Sequence, residues 1–192
     1  MQIAIIGWGS LIWCPGSMRM RILWRRDGPL LPVEYARISK DGRLTLVIHP
    51  GCGNQTTLWA VAVAEDIQRA RENLREREGT NSRFIHTGSA TGEFSEGTPD
   101  PVRDAIAKWL EAHHDIQACV WTGLTSNWNE IRKCEFSLAD ALRYLEELTD
   151  SARAREYIQN TASQIQTTVR IAVREQLNWR DAELSPALFA AD

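Results

Sequence analysis

Two features of the chain have residue types and spacing suited to chemistry. The first is Gly7-Trp8-Gly9-Ser10-Leu11, which follows the apolar run Ile3 to Ile6 and leads into Ile12-Trp13. Glycines at 7 and 9 let backbone N–H groups converge on a ligand without interference from Cβ atoms. Donors presented in this way suit a carboxylate or a polarised carbonyl. The second is Glu78, at the end of the segment Glu65 to Glu78. Ile67, Ala70 and Leu74 set the apolar stripe of that segment. A step of four residues from Leu74 returns to within about 40° of the same face. Glu76 falls on the opposite side and Glu72 well off the stripe. An inward glutamate at the last turn of a helix is placed for general acid–base work. Its alternative role is a plain helix-end carboxylate neutralised by Arg75 or Arg83.

Three familiar loop motifs fail on spacing. A dinucleotide fingerprint needs a third glycine where Ile12 stands. A phosphate-cradling loop needs a Lys-Ser/Thr pair, and none follows. A nucleophile elbow needs glycines two residues either side of its serine, whereas Ser10 directly follows Gly9. No Ser-His or Cys-His pair is visible either.

The elements that must hold these residues read as follows. The run opening at Ile3 is a buried strand. Pro15-Gly16 is a turn, and Met18 to Arg26 is an ambiguous basic and apolar stretch. Leu31 to Ser39 and Arg43 to Pro50 are two strands joined around Asp41-Gly42, a strong hairpin signal. Thr57 to Val63 is a further buried strand. Glu65 to Glu78 is a helix closed by Gly79. Ser82 to Ile85 is a short strand, followed by a loop from Gly88 to Thr98. Asp100 caps a helix with Pro101 at its first position, running to about His113. Ala118 to Leu124 is a strand, and Thr125 to Asn129 a polar turn. Three helices complete the chain: Leu138 to Leu148 behind a Ser137/Asp140 capping pair, one from Asp150 or Ser151 through Tyr157, and one over Ser163 to Leu177. Strands first and helices last favour α+β with a mixed sheet.

At 192 residues, with 43% hydrophobic and 24% charged residues, the chain has the size and composition of one globular domain. A formal net charge of −3 carries no electrostatic footprint for nucleic acid. No apolar run reaches the length of a membrane span, and no secretory leader is evident, so a cytoplasmic protein is expected. The four cysteines, Cys14, Cys52, Cys119 and Cys134, are scattered and read as buried thiols rather than disulfides or a metal site. No metal or cofactor is expected. Eight tryptophans suggest large flat walls in a core or pocket.

Gly7-Trp8-Gly9-Ser10-Leu11-Ile12-Trp13 with Pro15-Gly16 resembles the glycine-tyrosine-glycine-serine-leucine signature of the gamma-glutamylcyclotransferase-like superfamily. It is closest to the glutathione-specific branch, whose signature also continues into Ile-Trp and Pro-Gly. Asp41-Gly42-Arg43-Leu44-Thr45-Leu46-Val47 is similar to the family's second hairpin. Trp59-Ala60-Val61-Ala62 resembles the strand before its catalytic helix. Arg77-Glu78-Gly79 resembles the segment ending in its catalytic glutamate. The likeness spans about residues 3 to 125, with a fainter one at Arg155-Glu156-Tyr157-Ile158. Trp8 departs from the family's usual tyrosine.

The resemblance implies an α+β fold: a compact, barrel-like mixed sheet ringed by helices, forming a single domain over 1–192 with its core at about 1–125 and a helical tail at about 126–192. It implies cofactor-free cyclisation of a γ-glutamyl amide to 5-oxoproline, with Glu78 as general acid/base. Gly7, Trp8, Gly9, Ser10 and Leu11 would bind the substrate. The residues themselves offer further pocket-rim candidates. Arg37 and Ser39 share one face of the first hairpin strand, where Arg37 pairs with a substrate carboxylate or is solvated. Asn127 sits in the polar turn, and Tyr157 either hydrogen-bonds into the site or packs. The alternative is a small-ligand-binding protein that uses the same pocket without turnover.

Overall fold

In the computed structural model, which describes residues 2–190, the elements run β1 (Gln2–Gly7), β2 (Met20–Arg25), β3 (Leu30–Ile38), β4 (Leu44–Ile48), β5 (Asn54–Thr56), β6 (Leu58–Ala62), α1 (Ile67–Glu78), β7 (Ile85–Ser89), α2 (Asp100–Ala112), β8 (Ile116–Thr122), α3 (Trp128–Arg132), α4 (Leu138–Glu147), α5 (Ala152–Gln159) and α6 (Thr168–Gln176). A five-stranded sheet is ordered β2-β6-β1-β8-β7, and a three-stranded sheet β4-β3-β5. β1 is central in the first. It pairs antiparallel with β6 and parallel with β8. Ile3, Ala4, Ile5 and Ile6 are all buried. A strand covered on both faces reads as a continuous apolar run, not an alternating one. Full burial of one such isoleucine contributes about 1.5–3 kcal/mol.

The barrel-like sheet is corrected by this topology. The strands form two open sheets, because among the described residues β3 pairs with β4 and β5 and with no strand of the larger sheet. The helices beyond residue 125 pack into the same core. Tyr157, Ile158, Ile165, Val169, Val173 and Trp179 belong to the same buried cluster as Ile3 and Ile5.

Several local expectations shift. Met18 to Arg26 resolves into β2, an outer strand whose Leu23 side chain is exposed. Ser82 to Phe84 is a turn of 3₁₀ helix, with the strand beginning only at Ile85. The polar turn gives way to α3, whose Trp128 is buried. α1 starts behind Asp66, whose side chain accepts from the Arg69 N–H, and ends at Gly79 with φ 58°. That left-handed cap costs glycine little and returns its N–H to the carbonyls of Arg75 and Glu76. α2 is capped by Pro99, one residue before Asp100. Ser137 caps α4, but Asp140 turns away from the capping box toward Arg132. α6 begins at Thr168, behind a Thr167 cap, instead of at Ser163.

Of the cysteines only Cys119 is buried, and all four thiols are free; Cys14 and Cys134 are exposed. Among the described residues, no helix is long and apolar enough to cross a membrane.

Candidate functional site

β1 and β8 run parallel, so their C-terminal ends open on the same side. There the chain leaves β1 through the glycine loop, α1 delivers its last turn, and the β3–β4 hairpin and α5 close the flanks. These elements enclose a cleft of about 1360 Å³. Gly7, Trp8, Gly9, Ser10, Leu11, Arg37, Ser39, Glu78 and Tyr157 all line it.

Asn127 does not. Its side chain accepts from the Ile38 N–H at 2.9 Å and donates to the Ile38 carbonyl at 2.8 Å. The amide thereby completes the ladder at the end of β3 as a strand backbone would. Its role is to hold the hairpin that forms one cleft wall.

In the glycine loop, Ile12 N–H returns to the Gly9 carbonyl at 3.0 Å, and Cys14 N–H to the Ser10 carbonyl at 2.8 Å. The N–H groups of Gly9, Ser10 and Leu11 meet no backbone carbonyl among the described residues, although the Ser10 N–H faces the Tyr157 phenol. Trp8 lines the wall while 5% exposed, with Nε1 donating to the Leu46 carbonyl at 3.2 Å. A Cβ on Gly9 would run into the Tyr157 hydroxyl. The absence of a side chain at Gly9 is therefore what lets α5 approach the loop.

Glu78 is 19% exposed, and its counter-charge is neither Arg75 nor Arg83. Arg75 pairs with Glu72 at 2.6 Å, and the Arg83 guanidinium lies 4.6 Å from the Phe84 ring centroid. Arg77 is the partner, with Nη1 donating to Glu78 Oε1 at 2.6 Å. Its Nη2 donates to Ser10 Oγ at 3.2 Å and to the Cys14 carbonyl at 2.6 Å. One guanidinium thus ties the glutamate to the glycine loop, and its fixed fork suits that task. Glu78 Oε2 accepts no hydrogen bond from the described residues. Glu76 also borders the cleft, but its side chain is 53% exposed and its nearest cation is Arg75, at 4.0 Å.

Arg77 escaped sequence reasoning because helical spacing sets a Cα direction, while an arginine reaches over a full turn of chain. Its only sequence signal is adjacency to Glu78 and Gly79.

On the far wall, which Arg37 lines, its Nη1 donates to the Thr125 carbonyl at 2.7 Å. Ser39 Oγ bonds Asp41 Oδ1 at 2.6 Å and accepts from the Arg43 N–H at 3.0 Å, closing the hairpin. The Arg43 guanidinium lies 5.7 Å from the Tyr157 ring centroid. Burial pushes the Tyr157 phenol up to about 12; the main chain of Leu46 and Ser10 pulls it back, and the Glu78 carboxylate adds to the rise. At neutral pH Tyr157 is therefore a hydroxyl donor. Among the described residues, no group of three or more His, Cys, Asp or Glu side chains is placed to hold a metal ion.

The cleft joins unspent backbone donors, a carboxylate with one open oxygen, an anchored guanidinium and a neutral phenol. That set can bind a zwitterion and move a proton without a cofactor. Compared with known proteins, the chain matches no family model, no curated protein and no solved structure.

Proposed function

We propose that the protein is a γ-glutamyl cyclotransferase. One observation carries this reading: Glu78 and the Gly7–Leu11 loop line one cleft, and Arg77 is hydrogen-bonded to both. The nucleophile is the substrate's own α-amine, so the protein needs no nucleophilic side chain. It needs a folded substrate pose, oxyanion donors and one proton carrier.

The α-amine attacks the γ-carbonyl carbon, forming a C–N bond and placing negative charge on the carbonyl oxygen. The N–H groups of Gly9 and Leu11 receive that charge. Glu78 Oε2 takes the proton from the attacking nitrogen and returns it to the leaving nitrogen. The original C–N bond then breaks, giving 5-oxoproline and an amine. Arg37 pairs with a substrate carboxylate. Tyr157, whose hydroxyl lies against Gly9, donates it from beside the loop. The cleft exceeds the volume of about 300–1000 Å³ common for small-molecule sites, which leaves room for a leaving group beyond the γ-glutamyl unit.

Incubation with a panel of γ-glutamyl amino acids, peptides and amines, with 5-oxoproline as readout, tests the reading. Release by the wild-type chain and its loss in Glu78→Gln is the expected result. No release from any member of the panel overturns it. The ion pair at Glu78 Oε1 favours a second reading, a pocket that binds without turnover. A compound that raises the melting temperature yet is recovered unchanged supports that alternative.

A further inference from the structure

Tyr157 sits in the last turn of α5, a helix of eight residues whose Ser151 cap makes no side-chain hydrogen bond. A helix this short has little stability of its own. Its end must be held from outside if the phenol is to stay against the glycine loop, and the holding groups lie further along the chain.

Thr161 Oγ1 donates to the Tyr157 carbonyl at 3.0 Å and accepts from the Tyr35 hydroxyl at 2.7 Å. The Tyr35 ring is fully buried and meets the Tyr157 ring edge-on, with centroids 6.2 Å apart. Beneath them lies Arg170, 0% exposed. Its Nη2 donates to the Thr161 carbonyl at 2.6 Å. Its Nη1 donates to the carbonyls of Ala162 and Ile165 at 2.6 and 2.8 Å. Its Nε donates to Asp181 Oδ1 at 3.1 Å. A buried cation is tolerated only when its donors are satisfied, and here every nitrogen is engaged. Placed beyond the C-terminal end of α5, it also complements the negative end of that helix.

We infer that Thr161 and Arg170 are positioning residues of the site, holding Tyr157 in the cleft through the end of α5. This inference rests on the cyclotransferase reading for the role it gives Tyr157, but not for the contact it describes. It makes the segment from Thr161 to Asp181 part of the site although none of it lines the cleft.

Thr161→Val keeps the side chain's shape and removes both hydrogen bonds, while Thr161→Ser restores the hydroxyl. On the γ-glutamyl compound turned over fastest, kcat/KM should fall about tenfold in Thr161→Val and recover in Thr161→Ser. In a Tyr157→Phe background the same Thr161→Val change should have no further effect, because the group it positions is gone. Additive losses would overturn the inference, since a merely structural threonine acts on both backgrounds alike.

A second measurement needs no activity. With 3-fluorotyrosine incorporated, the three tyrosines give three fluorine resonances, assigned by single Phe replacements. The Tyr157 resonance should move or broaden in Thr161→Val and return in Thr161→Ser. A Tyr157 signal unchanged in Thr161→Val overturns the inference even if no substrate is found. Absence of 5-oxoproline in every case instead overturns the cyclotransferase reading and leaves this measurement to decide.

Discussion

Asp140 and Glu78 each face an arginine, at 3.0 Å from Arg132 and 2.6 Å from Arg77. Asp140 is saturated. Its Oδ1 accepts from Arg132 and Arg143, and its Oδ2 from Trp128 Nε1, Arg132 Nε and Cys134 Sγ. These bonds, the Arg132 guanidinium foremost, hold its carboxyl well below the usual carboxylate range. Glu78, which lines the cleft, has one oxygen paired and the other without a hydrogen-bond partner among the described residues. An arginine beside a carboxylate thus means two things in one molecule. A carboxylate whose lone pairs are all engaged fixes α3 to α4, whereas one left half-engaged can still exchange a proton.

The sharpest way to break this contrast is to neutralise both groups and compare. Glu78→Gln should lose at least about a hundredfold in 5-oxoproline formation, the lower end for a positioned general base. Its urea midpoint should stay near that of the wild type. Glu76→Gln, at the exposed carboxylate on the same cleft rim, should retain activity. A larger loss in Glu76→Gln than in Glu78→Gln would reverse the assignment.

Asp140→Asn should do the opposite. It leaves Arg132 and Arg143 without their shared acceptor charge and should cost on the order of 2 kcal/mol by urea denaturation, with turnover unchanged. An activity loss equal to that of Glu78→Gln would mean the two pairs are not distinct in kind.

Arg77→Met separates the carboxylate from its tether. The proton carrier remains, but its link to Ser10 and the loop is gone. A loss of about tenfold in kcat/KM is expected, smaller than for removing the carboxylate itself. Steady-state kinetics beside Glu78→Gln would check the ranking.

Much of this arrangement is legible in the sequence where local chemistry decides it. The β3–β4 hairpin follows from Asp41-Gly42, and the stop of α1 from Gly79. The inward lean of Glu78 follows from Ile67, Ala70 and Leu74. What long side chains or distant partners decide is not legible. A helical wheel puts Arg75 and Arg77 on opposite sides of the apolar stripe, but it does not show that Arg75 turns back to Glu72 while Arg77 reaches the loop at Ser10 and Cys14. Asn127 has the composition of a binding-turn residue, and the free backbone at Ile38 claims it. β2 mixes arginines with apolar residues because it lies at the edge of its sheet, so no clean period survives. The separation into two sheets depends on which strands pair across long stretches of chain, and no short motif encodes that.

The smallest effect concerns pH, and a third carboxylate makes the contrast with Asp140 one of sign. Glu34 is buried on β3, with Oε1 accepting from the Tyr35 N–H at 2.8 Å and Oε2 from the Val169 N–H of α6 at 3.4 Å. Burial pushes its carboxyl above the usual 4.5, while the Thr167 hydroxyl and the backbone N–H groups of Tyr35, Val169 and Thr168 pull it back. The unfolded chain therefore releases this proton first as pH rises. The stability that Glu34 contributes is complete below about 4.5 and is lost as pH climbs through its folded value. Asp140 behaves in the opposite way: its contribution is complete above the usual 3.8 and is lost as pH falls toward its depressed folded value. Glu34→Gln should flatten the decline above about 4.5, and Asp140→Asn should flatten the loss on the acid side of 3.8. One proton can give at most about 1.4 kcal/mol per pH unit, and partial titration in both states keeps the observed slope below that ceiling. Urea denaturation of the three proteins across both windows measures the slopes. If Glu34→Gln and wild type run parallel above 4.5, the carboxylate is compensated by its four N–H and O–H neighbours, and burial is not the dominant influence on it.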